Sequence, residues 1–179
     1  MVCSNLIPYF GMLFFTGFAI SSVIVPSYSD KNGRKKVFLA SLAGNLFVFI
    51  TLLILPSNSK YLYLMLVLFL IDGLASAGRT SVGYCYFVEL SPAKYADYLG
   101  TGWNISEGFV YIVLTIYFRY ISKNWFWTIA FGTFLQAFTL FNLYLFVPES
   151  PKWLYDQKRY LECQKTLRYM ARRNGVTLS

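Results

Sequence analysis

Residues 37–56 read VFLASLAGNLFVFITLLILP, a run of twenty positions with no charge and no polar side chain beyond Ser41, Asn45 and Thr51. A helix rises about 1.5 Å per residue, so such a run is long enough to cross roughly 30 Å of hydrocarbon. Four more long apolar runs, uncharged or nearly so, lie at 6–26, 61–88, 98–118 and 125–147. Only helices and closed barrels satisfy their own backbone in lipid, and these runs lack the in–out alternation of barrel strands. The expected fold is all-α: a polytopic transmembrane bundle of about five membrane-spanning helices over residues 1–148, then a basic amphipathic helical segment over 149–179. No Lys or Arg precedes the first run, and its apolar length exceeds a signal core, so it reads as a retained span.

Composition agrees, with 56% hydrophobic, 20% aromatic and 13% charged residues, too apolar for a soluble chain of 179 residues to hide in one core. Cys3, Cys85 and Cys163 are scattered and carry neither a disulfide framework nor metal-ligand spacing. The chain has no His, the commonest general base, and no nucleophile–base pair, metal cluster or phosphate loop. No enzyme, cofactor or metal is expected.

The net charge of +8 is sorted by side. Lys31, Arg34, Lys35, Lys36, Lys94, Lys152, Lys158, Arg159, Lys165, Arg168, Arg172 and Arg173 fall on one face of the expected topology. Lys60, Arg119 and Lys123 fall on the other, and Arg79 lies inside a span. Basic residues stay on the cytoplasmic (or matrix or stromal) side. The tail is therefore expected there, with the N-terminus opposite, and a nucleic-acid partner is not.

Three segments cluster on the basic side. The first, Pro26-Ser-Tyr-Ser-Asp30-Lys-Asn-Gly33-Arg34-Lys35-Lys36, reads as a tight turn in which Asp30 and Arg34 are placed to pair. The second, Tyr86-Phe-Val-Glu89-Leu-Ser-Pro92, sets a carboxylate where the third span leaves the membrane, on the side of Arg34. In the third, Pro148-Glu149-Ser150-Pro151-Lys152-Trp153-Leu154, Ser150 is placed to cap a helix that begins at Pro151.

In this order and at these positions, the three segments resemble the N-terminal half of a major facilitator superfamily transporter, and within it the organic cation/anion transporter and sugar porter families. There the loop between helices two and three reads roughly Gly-x-x-x-Asp-x-x-Gly-Arg-Arg/Lys, helix four ends Tyr-x-x-Glu-x-x-Pro, and helix six is followed by Pro-Glu-Ser-Pro-Arg-Trp-Leu. The stretch from Lys158 to Gly175 is similar to the intracellular helical segment that follows. The resemblance covers nearly the whole chain, its spans standing for helices two to six. It implies that Asp30, Gly33, Arg34 and Glu89 belong to a gate or charge relay on the cytoplasmic side. It further implies that Pro148, Glu149, Ser150, Pro151, Trp153 and Leu154 form the motif after the last span.

There are departures. Pro26 stands where the loop motif has Gly, Phe69 where sugar porters often have Arg, Ala96 where an Arg is expected, and Lys152 where the last motif has Arg. The resemblance also implies two six-helix bundles around a midplane site. The missing helices are then expected from elsewhere, through another membrane chain or a larger complex.

Within the spans, Asp72, Arg79 and Glu107 break the apolar rule and are candidates for a polar path or an intramembrane pair, since a charge at mid-bilayer costs at least about 2.5 kcal/mol. Arg79 and Glu107 each lie ten residues from an interfacial acid, Glu89 and Asp97, which places both about 15 Å deep and within reach of each other. Asp72 shares the helix face of Arg79, nearer the outer side, and reads as lining an outward vestibule. Asn104 and Gln136 read as interhelical hydrogen-bonding residues, and the sequon at Asn104 falls inside a span. The tail is expected on the membrane surface or under the bundle, with Leu161, Leu167, Met170 and Ala171 as its apolar positions and Gly175 as its cap.

Two functions from different classes follow. One is a transporter of a small solute, either an organic ion or a sugar-like molecule. The other is a transporter-derived structural subunit of a membrane complex, to which the departures point.

Overall fold

The computed structural model describes residues 6–55 and 59–175, so Cys3, Pro56 and residues 176–179 lie outside the described residues. α1 (Ile7–Asn32) and α2 (Arg34–Ile54) are joined by Gly33 alone. The next crossing is one rod made of α3 (Leu62–Ala77), a π turn at Gly78–Val82 and α4 (Gly83–Glu89). α5 (Ala96–Ile116) runs into a second π turn at Tyr117–Ile121, and α6 (Trp125–Phe146) follows. Two short helices, α7 (Pro151–Asp156) and α8 (Tyr160–Arg173), close the described chain.

Among the described residues, four helices are long and apolar enough to cross a membrane: Pro8–Asn32, Arg34–Ile54, Leu62–Glu89 and Trp125–Phe146. The crossing expected at 98–118 forms α5, which has the length but not the apolarity. Its first half carries Asp97, Thr101, Asn104, Ser106 and Glu107, a make-up suited to a polar space or a protein contact rather than to lipid.

The turn expected from Pro26 onward is a helix instead. α1 runs through Pro26 to Asn32, because one missing N–H is tolerable where nothing else breaks the helix before Gly33. Gly33 then reverses the chain by itself, with φ +106°, a conformation that L side chains rarely adopt, and its N–H donates to the Ser29 carbonyl at 3.0 Å.

α1 packs along α3, while α2 packs on α3 and α6. The α1–α3 contact is made by backbone, through two reciprocal glycines. A Cβ at Gly73 would fall on the Phe14 carbonyl oxygen, and one at Gly17 on the Leu70 carbonyl oxygen. In lipid, where apolar side chains gain little by leaving their surroundings, such close backbone approach is the main source of packing energy. Ser21 adds a hydrogen bond from its hydroxyl to the Leu74 carbonyl, 2.5 Å long. Phe69 meets Phe10 edge to face at 5.0 Å between centroids, so an aromatic contact occupies the position where sugar porters often carry Arg.

The tail is two helices, broken by Lys158 at φ +59°. The packed residue of α8 is Cys163, with its thiol on the Pro151 carbonyl at 3.4 Å, whereas Leu161 and Leu167 are exposed. α8 thus turns its cysteine face to the rest of the molecule and leaves Leu161 and Leu167, read as apolar positions of a tail on the membrane surface or under the bundle, on its outer side.

Candidate functional site

The basic side of the bundle gathers Asp30, Gly33, Arg34, Glu89, Glu149, Ser150 and Trp153 into one connected cluster. Gly33 puts Arg34 one residue into α2, so its guanidinium projects toward the ends of both α1 and α4. One arm, Nη1, pairs with Asp30 at 2.5 Å and donates to the Ser29 hydroxyl at 3.2 Å. The other, Nη2, reaches Glu89 at 3.3 Å. A planar fork fixes both directions at once, which the point charge of a lysine does not. The two ion pairs differ in setting: Arg34 and Glu89 are 16% and 12% exposed, Asp30 61%.

The segment after α6 closes the cluster from below. The Ser150 hydroxyl donates to the second Glu89 oxygen at 2.7 Å and accepts from the Trp153 N–H at 3.2 Å, so a single side chain caps α7 and grips α4. Glu149 accepts from the backbone N–H groups of Lys35 at 2.8 Å and of Ser150 at 3.1 Å. It thus satisfies an open donor at the start of α2, where a carboxylate is also favoured by the helix dipole. A Cβ on Gly33 would lie 2.7 Å from the Glu149 Oε2, so the glycine serves the turn and the cap together. Tyr86 donates its hydroxyl to the Pro148 carbonyl. The indole N–H of Trp153 reaches the Asp30 carbonyl at 2.8 Å, and Leu154 is buried beside it. Pro151 opens α7 where no N–H is needed.

Ser29 and Tyr86 carry no role in the sequence reading, and neither does the Glu149 cap. Tyr86 and Glu149 stood inside the quoted segments, and Ser29 beside Asp30, but contacts between distant segments have no signature along the chain.

The intramembrane residues divide otherwise than expected. Arg79 and Glu107 are both exposed and, among the described residues, form no ion pair. At that level α5 presents Trp103 and Asn104 to Thr80, Ser81 and Tyr84 across a shared cleft, leaving Arg79 off the contact. Residue counting addresses depth alone and is silent on azimuth, and it is azimuth that keeps the two side chains apart.

Asp72, read as lining an outward vestibule, is half-buried at the seam of α2 and α3. Its carboxylate accepts from the Asn45 amide at 2.7 Å, and the same amide donates to the Ser76 hydroxyl at 3.2 Å, a polar knot between α2 and α3. Asn45 was legible only as a lone amide in an apolar run. Gln136 donates to the Leu42 carbonyl at 2.9 Å and ties α6 to α2, whereas Asn104 bonds within its own helix to Gly100 at 3.0 Å. Because Arg79 and Glu107 do not meet, Arg79→Ala and Glu107→Gln are expected to change stability additively, within about 0.5 kcal/mol, in a double-mutant cycle read from thermal melts in detergent. Rescue of one by the other would show a pair.

Residues 6–178 match the family model for "Sugar (and other) transporter". The chain is similar to solute carrier family 22 member 2 of Homo sapiens, 28% identical over 180 residues, which covers 99% of this chain and 31% of that protein. It is similar to solute carrier family 22 member 1 of Bos taurus, 30% identical over 166 residues, covering 89% and 27%. A third relative is organic cation/carnitine transporter 2 of Homo sapiens, 28% identical over 168 residues, covering 93% and 29%. The chain thus spans less than a third of the length of these relatives. The match along nearly its whole length, on a helical membrane bundle that carries the expected segments, makes this chain a member of the sugar (and other) transporter family of the major facilitator superfamily.

Proposed function

We propose that this chain is part of a membrane transporter for small organic ions, and that the cluster around Arg34 is the gate on its basic side. The observation that carries the reading is the bridge from Arg34 through Glu89 to Ser150. It links α2, α4 and α7 through groups that are partly buried yet polar, so it can be broken and remade without loss of the helices themselves. A transporter of this type works by moving one bundle against another about a central site. A charge cluster at one mouth stabilises the closed arrangement there and releases when the helices part. The organic ion class comes from the relatives, one of which is named for organic cations and carnitine.

The reading has further parts. Residues 1–148 form the membrane bundle, and 149–179 a tail that docks beneath it. The tail faces the cytoplasm or an equivalent compartment, and the N-terminal end of α1 faces outward, because twelve of the sixteen basic residues lie on the tail side. Further helices, in another chain or chain segment, complete the solute path.

The test is uptake of labelled tetraethylammonium and of a labelled organic anion into cells that make the native protein containing this segment. Saturable uptake of either, inhibited by unlabelled members of the same class, is the expected result. Uptake no faster than in cells lacking the protein, for a panel of both classes and with the protein present at the membrane, would overturn the organic ion reading.

A further inference from the structure

Three cations open α2, and two are engaged. Arg34 is held by Asp30 and Glu89, and Lys35 donates to the Tyr144 carbonyl at 3.0 Å. Lys36 is exposed and, among the described residues, has no hydrogen-bond or ion-pair partner. It stands at one end of a cleft of about 640 Å³ between α1 and α2, floored by α3.

The cleft is polar chiefly at that end, where Lys36 is joined by Tyr28 and Asn32; further in, Ser41 has its hydroxyl spent on the Val37 carbonyl at 3.0 Å. The remainder is apolar, with Ile24 and Ala40 on the walls and Leu74 on the floor. Ile24 precedes Asn32 by eight residues, about 12 Å further into the membrane. All three helices belong to rods long and apolar enough to cross a membrane, and Ile24, Tyr28 and Leu74 are exposed on them, so the cleft is open to an occupant from the bilayer.

We propose that this cleft holds an anionic glycerophospholipid of the leaflet on the basic side. Its phosphate sits on the Lys36 ammonium, beside the Asn32 amide and the Tyr28 hydroxyl, and an acyl chain runs along Ile24, Ala40 and Leu74. A cation at the edge of the hydrocarbon needs a counter-charge. The nearby carboxylates are committed, Asp30 to Arg34 and Glu149 to the N–H groups of Lys35 and Ser150. Anionic headgroups supply that charge at this depth, and Lys31, exposed at the end of α1, adds to the same field. A lipid at this position bridges α1 and α2 beside their glycine turn. The site depends on the chain crossing a membrane and not on what, if anything, it transports.

The test is native mass spectrometry of the intact protein in mild detergent, with phosphatidylglycerol or phosphatidylcholine of the same chains added. Phosphatidylglycerol is expected to be retained about five-fold over phosphatidylcholine, the preference one lysine supplies. Lys36→Ala removes the preference and Lys36→Arg keeps it. Ala40→Trp, which leaves the lysine but fills the apolar part, lowers retention of both lipids. Ala40 is exposed, so this variant folds even if a charge change at position 36 were to disturb the turn. Equal retention of the two lipids by the unaltered protein would overturn the proposal, as would an Ala40→Trp protein that holds phosphatidylglycerol undiminished. So too would a photocrosslinker at position 40 that captures protein rather than lipid.

Discussion

Gly73→Val is expected to disassemble the contact between α1 and α3. The new Cβ would strike the Phe14 carbonyl oxygen and lie 2.9 Å from its carbon and 3.1 Å from the Phe18 nitrogen. All three are backbone atoms of a helix, and none can rotate away as a side-chain end would. The helices must separate, which also strains the hydrogen bond from Ser21 to Leu74 across the same seam. Overfilling a packed site costs about 1–3 kcal/mol and sometimes more, and with backbone as the obstacle we place this case at about 3 kcal/mol. That is roughly a hundredfold shift toward the unfolded side. The measurement is the fraction of monodisperse protein after mild-detergent extraction, followed across a thermal ramp. Gly11→Val is the control, because nothing lies within 4 Å of a Cβ at Gly11, on α1, the other helix of the seam. A control loss as large as that of Gly73→Val would mean that helix glycines matter here for their own sake and that the seam does not.

Arg34→Ala is expected to cost about 2 kcal/mol. Deleting one partner of a buried ion pair costs about 3–5 kcal/mol, because the other charge stays buried, and the residual exposure of both groups here lowers that figure. The remaining Glu89 carboxylate would keep only the Ser150 hydroxyl as a donor, at 12% exposure. Glu89→Gln added to Arg34→Ala is expected to recover most of the loss, since an uncharged amide at position 89 still serves Ser150 and no longer needs a cation. The comparison of single and double variants by thermal melts separates the pair from general damage at the turn. If the double variant melts no higher than Arg34→Ala, the loss comes from the turn or from Asp30, and the bridge to α4 contributes little. The same variant loosens the basic mouth if the gate reading is right, so a cysteine at position 150 should label faster with a membrane-impermeant reagent.

Much of this was legible from residues alone, and unevenly so. The crossings at 37–56, 61–88 and 125–147 follow from apolar length, a property that sums along the chain, and each appears within a few residues of its reading. The 98–118 crossing shows where length and apolarity part, since α5 forms a helix but keeps its polar half. Pro26 misled the reading of the first turn because a proline signals a break only on average, and here Gly33 is the true reversal. The Arg34 cluster was half legible: Asp30, Gly33, Arg34, Glu89 and Ser150 sit in recognisable segments, but Ser29 became visible only once the Gly33 turn was built, and Tyr86 and the Glu149 cap only once the segment after α6 was placed against α2 and α4.

By itself the sequence determined that the chain is a helical membrane bundle, which of its ends gathers positive charge, and to which family it belongs. Each of these rests on quantities read locally, namely hydropathy, charge and short spaced segments, and none requires knowing which helix touches which. Only the tertiary structure decided that Arg79 does not meet Glu107, that Asp72 faces Asn45, that Gly17 and Gly73 meet backbone, and that Lys36 looks into a cleft. Those depend on the rotation of each helix about its axis, which advances about 100° per residue. A single wider turn such as that at Gly78–Val82 alters that rotation without changing depth. Residue counting therefore gives how far into the membrane a group lies, while its partner is set by packing.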